Sequence, residues 1–143
     1  MQPDPRNVAR LIDNLRGFEP RYVLVTSAVS DESGQLEFGV EPTGRYGGLG
    51  LKTGRSIVVR CRHINDALRQ ALDEWPKIDM LKIDMLKIDT EGVEERSVRA
   101  IRRDFLQRIG AIYIEAKPAE ALHVELFHNR QYGSVRQMVR REE

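Results

Sequence analysis

The chain has 143 residues, enough for one domain with a single core. Hydrophobic residues make up 41% and charged residues 31%, a balance that excludes long disorder. The 23 Lys and Arg residues stand against 22 Asp and Glu, so net charge favours neither nucleic acid nor a membrane surface, and no apolar run approaches the roughly 18–20 residues that span a bilayer.

Asp4-Pro5 opens the first predicted helix, with Asp as N-cap and Pro at the first helical position. Val8, Leu11, Ile12 and Leu15 follow at helical spacing, and Gly17 ends the run. Tyr22–Val29 is apolar and β-branched and predicts a strand. A turn at Asp31–Gly34 leads to an alternating strand at Gln35–Val40. Residues 41–55 hold five glycines and a proline and read as a glycine-rich insert loop. Gly47-Gly48-Leu49-Gly50 lacks the strand-before, helix-after setting and the Lys of a phosphate loop. Ser56–Arg60 predicts a short strand, and Ile64, Ala67, Leu68, Ala71, Leu72 and Trp75 form a helical stripe closed by Pro76.

Lys-Ile-Asp-Met-Leu then occurs twice in tandem, at 77–81 and 82–86, and Lys87-Ile88-Asp89 begins it again. A five-residue period fits neither strand nor helix, and reads as a small duplication within one strand. A five-residue slip inverts every side chain, so only one copy can hold the productive register. The expected strand is Met85–Asp89 with part of the second copy, and Lys77–Leu81 is expected to be extra linker. Val93–Ile109 predicts one amphipathic helix, Ala111–Glu115 a strand, Pro118–His128 a helix and Ser134–Val139 a last strand. Strands alternating with helices from about Arg60 onward point to a parallel α/β sheet.

The chemistry is expected around Leu86–Glu94. A buried strand ends there in Asp89, a tight turn follows, and a helix begins. Ligands of open α/β sheets bind beyond the carboxyl ends of strands, which puts Asp89 and Glu91 at the mouth of a site. Carboxylates so placed can orient a hydroxyl, accept a proton or hold a metal. Glu94 reads as a first-turn acid that favours the helix dipole and faces solvent. His123 and His128 are five apart and share no i,i+4 face, so no metal site is expected. Arg136, Arg140 and Arg141 form a basic tail without the interleaved aromatics of a nucleic-acid surface. The lone Cys61 has neither a disulfide nor a CxxC partner and is expected to be buried and inert in a reducing, cytoplasmic setting.

Leu86–Glu94 resembles the "LKIDxEGxE" signature of FkbM-type S-adenosylmethionine-dependent methyltransferases. Ser27–Gly34 with Leu36 and Phe38 resembles the "AxSDxxGxxxF" stretch of that family. Val59–Leu68 resembles its "VxxxTLDDL" stretch, with His63, Ile64 and Asn65 in place of Thr, Leu and the first Asp. Tyr113-Ile114-Glu115 resembles its strand ending in Glu, and Met1–Asn7 the end of its second strand, where "FEPxP" is usual. The resemblance covers roughly residues 1–135. It implies a Rossmann-like class I methyltransferase sheet, one domain over 1–143, incomplete at the N-terminus. The family's first strand would lie between the Tyr22 and Leu86 strands, and with its glycine-rich loop it would precede residue 1.

The resemblance implies O-methylation of a hydroxyl on a sugar or secondary metabolite, with S-adenosylmethionine as cofactor. The acceptor would be a small-molecule or glycan hydroxyl, with no nucleic-acid or membrane partner and no metal. Gln2 would lie near the ribose, where an acid is usual, and Asp31 near the adenine. Asp89 would lie near both cofactor and acceptor, with Glu91 and Glu115 completing a catalytic acidic rim. The alternative is a catalytically silent fragment, or a truncated reading of a longer methyltransferase, that serves at most as a binding module. "IDxLKID" also resembles EAL-type cyclic-dinucleotide phosphodiesterases, but those are barrels of about 250 residues, far longer than this chain.

Overall fold

Asp4 and Pro5 start α1 (Pro5–Asn14) as their chemistry requires. The Asp4 carboxylate accepts the Arg6 backbone N–H at 2.9 Å, and Pro5 occupies a position whose N–H would otherwise go unbonded. Gly17, at φ +89°, turns the chain after the helix. No α1 residue is buried, so its predicted apolar stripe is only partly covered. The computed structural model describes residues 1–19, 21–43, 47–73, 83–90 and 92–142.

The first sheet contains β1 (Ala28–Ser30), β2 (Gly34–Val40), β3 (Gly47–Leu49) and β4 (Ser56–His63), in the order β1-β4-β2-β3. β1 pairs parallel with β4, while β2 pairs antiparallel with both β3 and β4. Two predictions need correction here. The Tyr22–Val29 strand reduces to Ala28–Ser30, because residues 22–27 find no ladder partner among the described residues, and the backbone bond made there is from Gln2 N–H to the Val25 carbonyl, at 3.1 Å. The predicted 41–55 loop contains β3, which glycine makes possible. A Cβ at Gly47 would sit 2.6 Å from the Phe38 ring, and one at Gly39 only 2.0 Å from the Leu51 carbonyl oxygen.

The second sheet contains β5 (Ile83–Ile88), β6 (Ile109–Ile114), β7 (Phe127–Tyr132) and β8 (Val135–Arg140), in the order β5-β6-β8-β7. β5 and β6 are parallel, and β8 runs antiparallel to both β6 and β7. β5 uses the second copy of the repeat, as expected, whereas the first copy, Lys77–Leu81, lies outside the described residues. The expected parallel sheet is therefore corrected to two mixed sheets, each with one parallel and two antiparallel pairings.

Three further helices connect them: α2 (Ile64–Asp73), α3 (Glu94–Arg99) and α4 (Arg103–Leu106). The single helix expected over Val93–Ile109 is broken between α3 and α4. The buried Asn65 amide donates to the Ala100 carbonyl and accepts the Arg102 N–H, both at 2.9 Å, drawing those groups away from a continuous helical ladder. No helix forms at Pro118–His128 either. Asn129 bonds both the N–H and the carbonyl of Leu122, and His123 has φ +45°, outside the helical region.

The main core joins the two sheets through α2. Val29 of β1, Ile88 of β5 and Ile112 of β6 belong to one buried cluster with Ile64 and Leu68 of α2. A second cluster holds Phe38, Val40, Leu49 and Cys61 on the opposite face of the first sheet, together with Val93. The chain is thus an α/β fold with two mixed sheets.

Candidate functional site

β1 and β5 are the terminal strands of their sheets, and their carboxyl ends are held on the same side of the molecule. Arg96 of α3, just beyond β5, reaches Asp31, just beyond β1, at 3.1 Å and Glu32 at 3.5 Å. Between the strands lies a cleft of about 620 Å³, within the roughly 300–1,000 Å³ range of small-molecule sites. Ala28 and Val29 line one side, Leu86 and Ile88 the other, and Ile64 and Leu68 of α2 also contribute. Gln2, Asn7, Lys87, Asp89 and Thr90 supply its polar lining.

Gln2 and Asp89, 87 positions apart in sequence, thus line one cavity; strand-end reasoning predicts this place for Asp89, and the family resemblance for Gln2. The Gln2 side-chain oxygen accepts the Asp4 backbone N–H at 3.0 Å, which leaves its amide N–H groups as donors. Asp89 pairs with the Lys87 ammonium at 2.8 Å, two residues back along the strand. Asp89, with a smaller contribution from Glu115, raises the Lys87 pKa. Register puts Ile88 opposite Ile114, so Asp89 and Glu115 follow one another across adjacent strand ends. Glu115 also accepts the Ser134 hydroxyl at 3.2 Å. Glu91 lies outside the described residues.

Asp31 is not part of the cleft lining. Burial opposes its ionisation, but the Ser30 hydroxyl, at 2.7 Å, and the Arg96 charge outweigh that and hold its pKa below 3.8. Stability from a lowered carboxylate pKa is present above the unfolded value and is lost as pH falls through the folded one. Asp31→Asn is therefore expected to be less stable than the parent at pH 6 by up to about 1 kcal/mol, with the gap closing below about pH 3. Urea unfolding at the two pH values checks this, and a gap that widens in acid would contradict it.

Sequence reasoning missed Glu94. It was expected to face solvent, yet it is 4% exposed. Its carboxylate turns back to accept the N–H groups of Thr90 and Gly92, both at 2.9 Å. Gly92 has φ +106°, a conformation in which any side chain would be strained. Glu94 and Gly92 therefore fix the turn that carries Asp89. The available signal was a glycine two residues before a first-turn acid, able to turn its N–H onto that carboxylate. Thr90 has a buried hydroxyl with no partner among the described residues.

A larger hollow of about 710 Å³ between β4 and α2, lined by Arg60, Arg62 and Arg69, contains none of the predicted residues. Cys61 is buried beside it, and burial raises its thiol pKa, in keeping with an inert side chain. Among the described residues, no helix is long and apolar enough to cross a membrane. No protein-family model, curated protein or solved structure matches the chain.

Proposed function

We propose that this chain carries the acceptor side of an S-adenosylmethionine-dependent O-methyltransferase site, within a Rossmann-like sheet of the FkbM type. The observation that supports the reading is the shared cleft of Gln2 and Asp89 at the carboxyl end of β5. The cofactor supplies an electrophilic methyl group on a sulfonium. The Asp89 carboxylate suits a cationic neighbour, and the Gln2 N–H donors suit ribose hydroxyls. An acceptor hydroxyl entering at the mouth would hydrogen-bond Asp89, displacing Lys87, and Asp89 would take its proton as oxygen accepts the methyl. Glu115 would orient the acceptor from the next strand end. A sugar or secondary-metabolite hydroxyl is the substrate class this rim fits.

The cofactor interaction of the 143 residues alone is expected to be weak. Gln2 lacks the charge of the usual acid, and the glycine-rich loop is not among these residues. Calorimetric titration should give a dissociation constant far above the low micromolar range, nearer about 1 mM, or −4 kcal/mol. At millimolar S-adenosylmethionine, amide NMR signals of Gln2, Asp89 and Thr90 should move, and ATP at the same concentration should not move them. Unmoved signals at all three would overturn the proposal, as would low-micromolar affinity overturn the weak-binding expectation.

A further inference from the structure

We infer that the hollow between β4 and α2 binds a small hydroxylated phosphate ester, of the sugar-phosphate class, by its phosphate group. The inference goes beyond the methyl-transfer reading and does not depend on it. Ile64, Ala67, Leu68 and Ala71 of α2 line the cleft, whereas Asp66, Arg69 and Gln70 line the hollow. At about 3.6 residues per turn these two sets lie on opposite sides of the helix, so the hollow and the cleft are separate sites.

Positive charge enters the hollow from two directions. Arg60 and Arg62 alternate with the buried Val59 and Cys61 along β4, which puts both arginines on one face of the strand, roughly 7 Å apart. Arg69 comes from α2. Arg60 is exposed and has no side-chain partner among the described residues. Arg62 bonds the neutral side-chain oxygen of Gln70, a contact that leaves its charge uncancelled. Arg69 pairs with Asp66 at 3.0 Å, and Asp66 is the one carboxylate among the described residues of the lining. Three guanidinium groups against one carboxylate leave two positive charges. Glu37 shares this face of the sheet, but register sets it opposite Val58, two residues beyond the Gln35–Arg60 pair and outside the lining. Uncharged donors add to the site. The Ser33 hydroxyl oxygen accepts the His63 N–H at 2.9 Å, which leaves its own proton to donate.

The chemistry of the ligand follows from these groups. A carboxylate occupies a single guanidinium fork, whereas a phosphate has three terminal oxygens that can meet forks from strand and helix at once. The two residual charges match a phosphate monoester, which carries about −1.5 to −2 near neutral pH. The hollow, at about 710 Å³, has the size of a small-molecule site and is far larger than inorganic phosphate needs, so the phosphate carries a further group. Among the described residues the lining has no aromatic side chain to stack a base and no large aliphatic one. A hydroxylated remainder fits that polar wall better than a nucleotide, a polynucleotide or a lipid.

The probe is glucose 6-phosphate, titrated into the 143-residue chain at about pH 8, where the ester carries close to two charges because its second pKa is about 6. Sodium chloride is held at about 0.15 M, which screens loose counterion association. Glucose and glucose 6-sulfate serve as controls for the sugar and for a single charge. The side-chain Nε–H NMR signals of Arg60, Arg62 and Arg69 should move, with an affinity about tenfold or more above that for the sulfate ester and no response to glucose. Inorganic phosphate should move the same signals more weakly. Arg60→Ala, at an exposed position with no partner to strand, should weaken binding about tenfold at an unchanged melting temperature. Arg62→Lys, which keeps the charge and loses the fork, should also weaken it, and Glu37→Gln should change it by less than about twofold. Unmoved signals would overturn the inference, as would equal binding of the sulfate ester or of inorganic phosphate. So would equal movement of the Arg103 and Arg130 signals, which belong to residues outside the lining, or tighter binding of a single-stranded oligonucleotide. The cofactor titration is read at Gln2, Asp89 and Thr90 and this one at the three arginines, so either reading can fail while the other stands.

Discussion

Glu94→Gln is expected to destabilise the protein by about 2–4 kcal/mol, well beyond the effect of Asp89→Asn. The Glu94 carboxylate is buried and accepts two backbone N–H groups, Thr90 on one oxygen and Gly92 on the other. A glutamine keeps one acceptor and turns an NH₂ group toward the second N–H. One buried donor then loses its partner, and the remaining bond loses its charge assistance. Asp89 is different: its side chain is 39% exposed and its partner Lys87 is more exposed still, so removing its charge should cost within about 1 kcal/mol. Urea unfolding followed by circular dichroism separates the two. Coincident midpoints would show that the turn stands without Glu94. In a form with methyltransferase activity, Asp89→Asn should lower the rate with little loss of stability. Glu94→Gln should lower both, because the turn it holds carries Asp89.

What could be read from the sequence were features set by neighbours along the chain. The Asp4 cap, the alternating β2 strand, the α2 stripe and the choice of the second repeat copy for β5 each depend on a few adjacent residues. The failures share a different cause. Val93–Ile109 has a good helical pattern, but a side chain from 35 positions earlier takes the Ala100 carbonyl. The Pro118–His128 pattern yields to Asn129, which bonds Leu122 from the following strand. β3 escaped notice because its glycines carry no hydrophobic pattern, and the value of Gly47 lies in letting backbone approach the Phe38 ring.

The site shows the same division. Strand-end logic placed Asp89 at the cleft, since it needs only the strand and its direction, whereas Gln2 was named only by the family resemblance. The Arg96 bridge to Asp31 was hidden, because it depends on how α3 seats against β1, whereas the inward turn of Glu94 is local, to Thr90 and Gly92, and was overlooked in favour of a first-turn acid facing solvent. Asp31 consequently serves as an anchor for α3 in this structure, although the sequence pattern assigned it to the cofactor.

Asn65→Leu is expected to cost about 2–4 kcal/mol, chiefly from two stranded backbone groups. Leucine keeps the branched shape of asparagine but is bulkier, so no cavity forms at this buried position and some overpacking adds to the loss. It removes the donor to the Ala100 carbonyl and the acceptor of the Arg102 N–H. Those groups sit where α3 gives way to α4, and a continuous helix through Arg102 would swing Ile101 and Phe105 out of their buried places. The chain cannot simply re-form the helical ladder without losing that core. Asn65→Asp offers a pH-dependent control: it keeps the acceptor for Arg102, but its ionised carboxylate faces the Ala100 carbonyl and is buried, whereas the protonated form can donate to that carbonyl. Both variants should have denaturant midpoints below the parent at pH 7, and the Asp variant alone should regain part of its loss as pH falls and the carboxyl protonates. A leucine variant as stable as the parent would mean that Asn65 does not impose the break between α3 and α4.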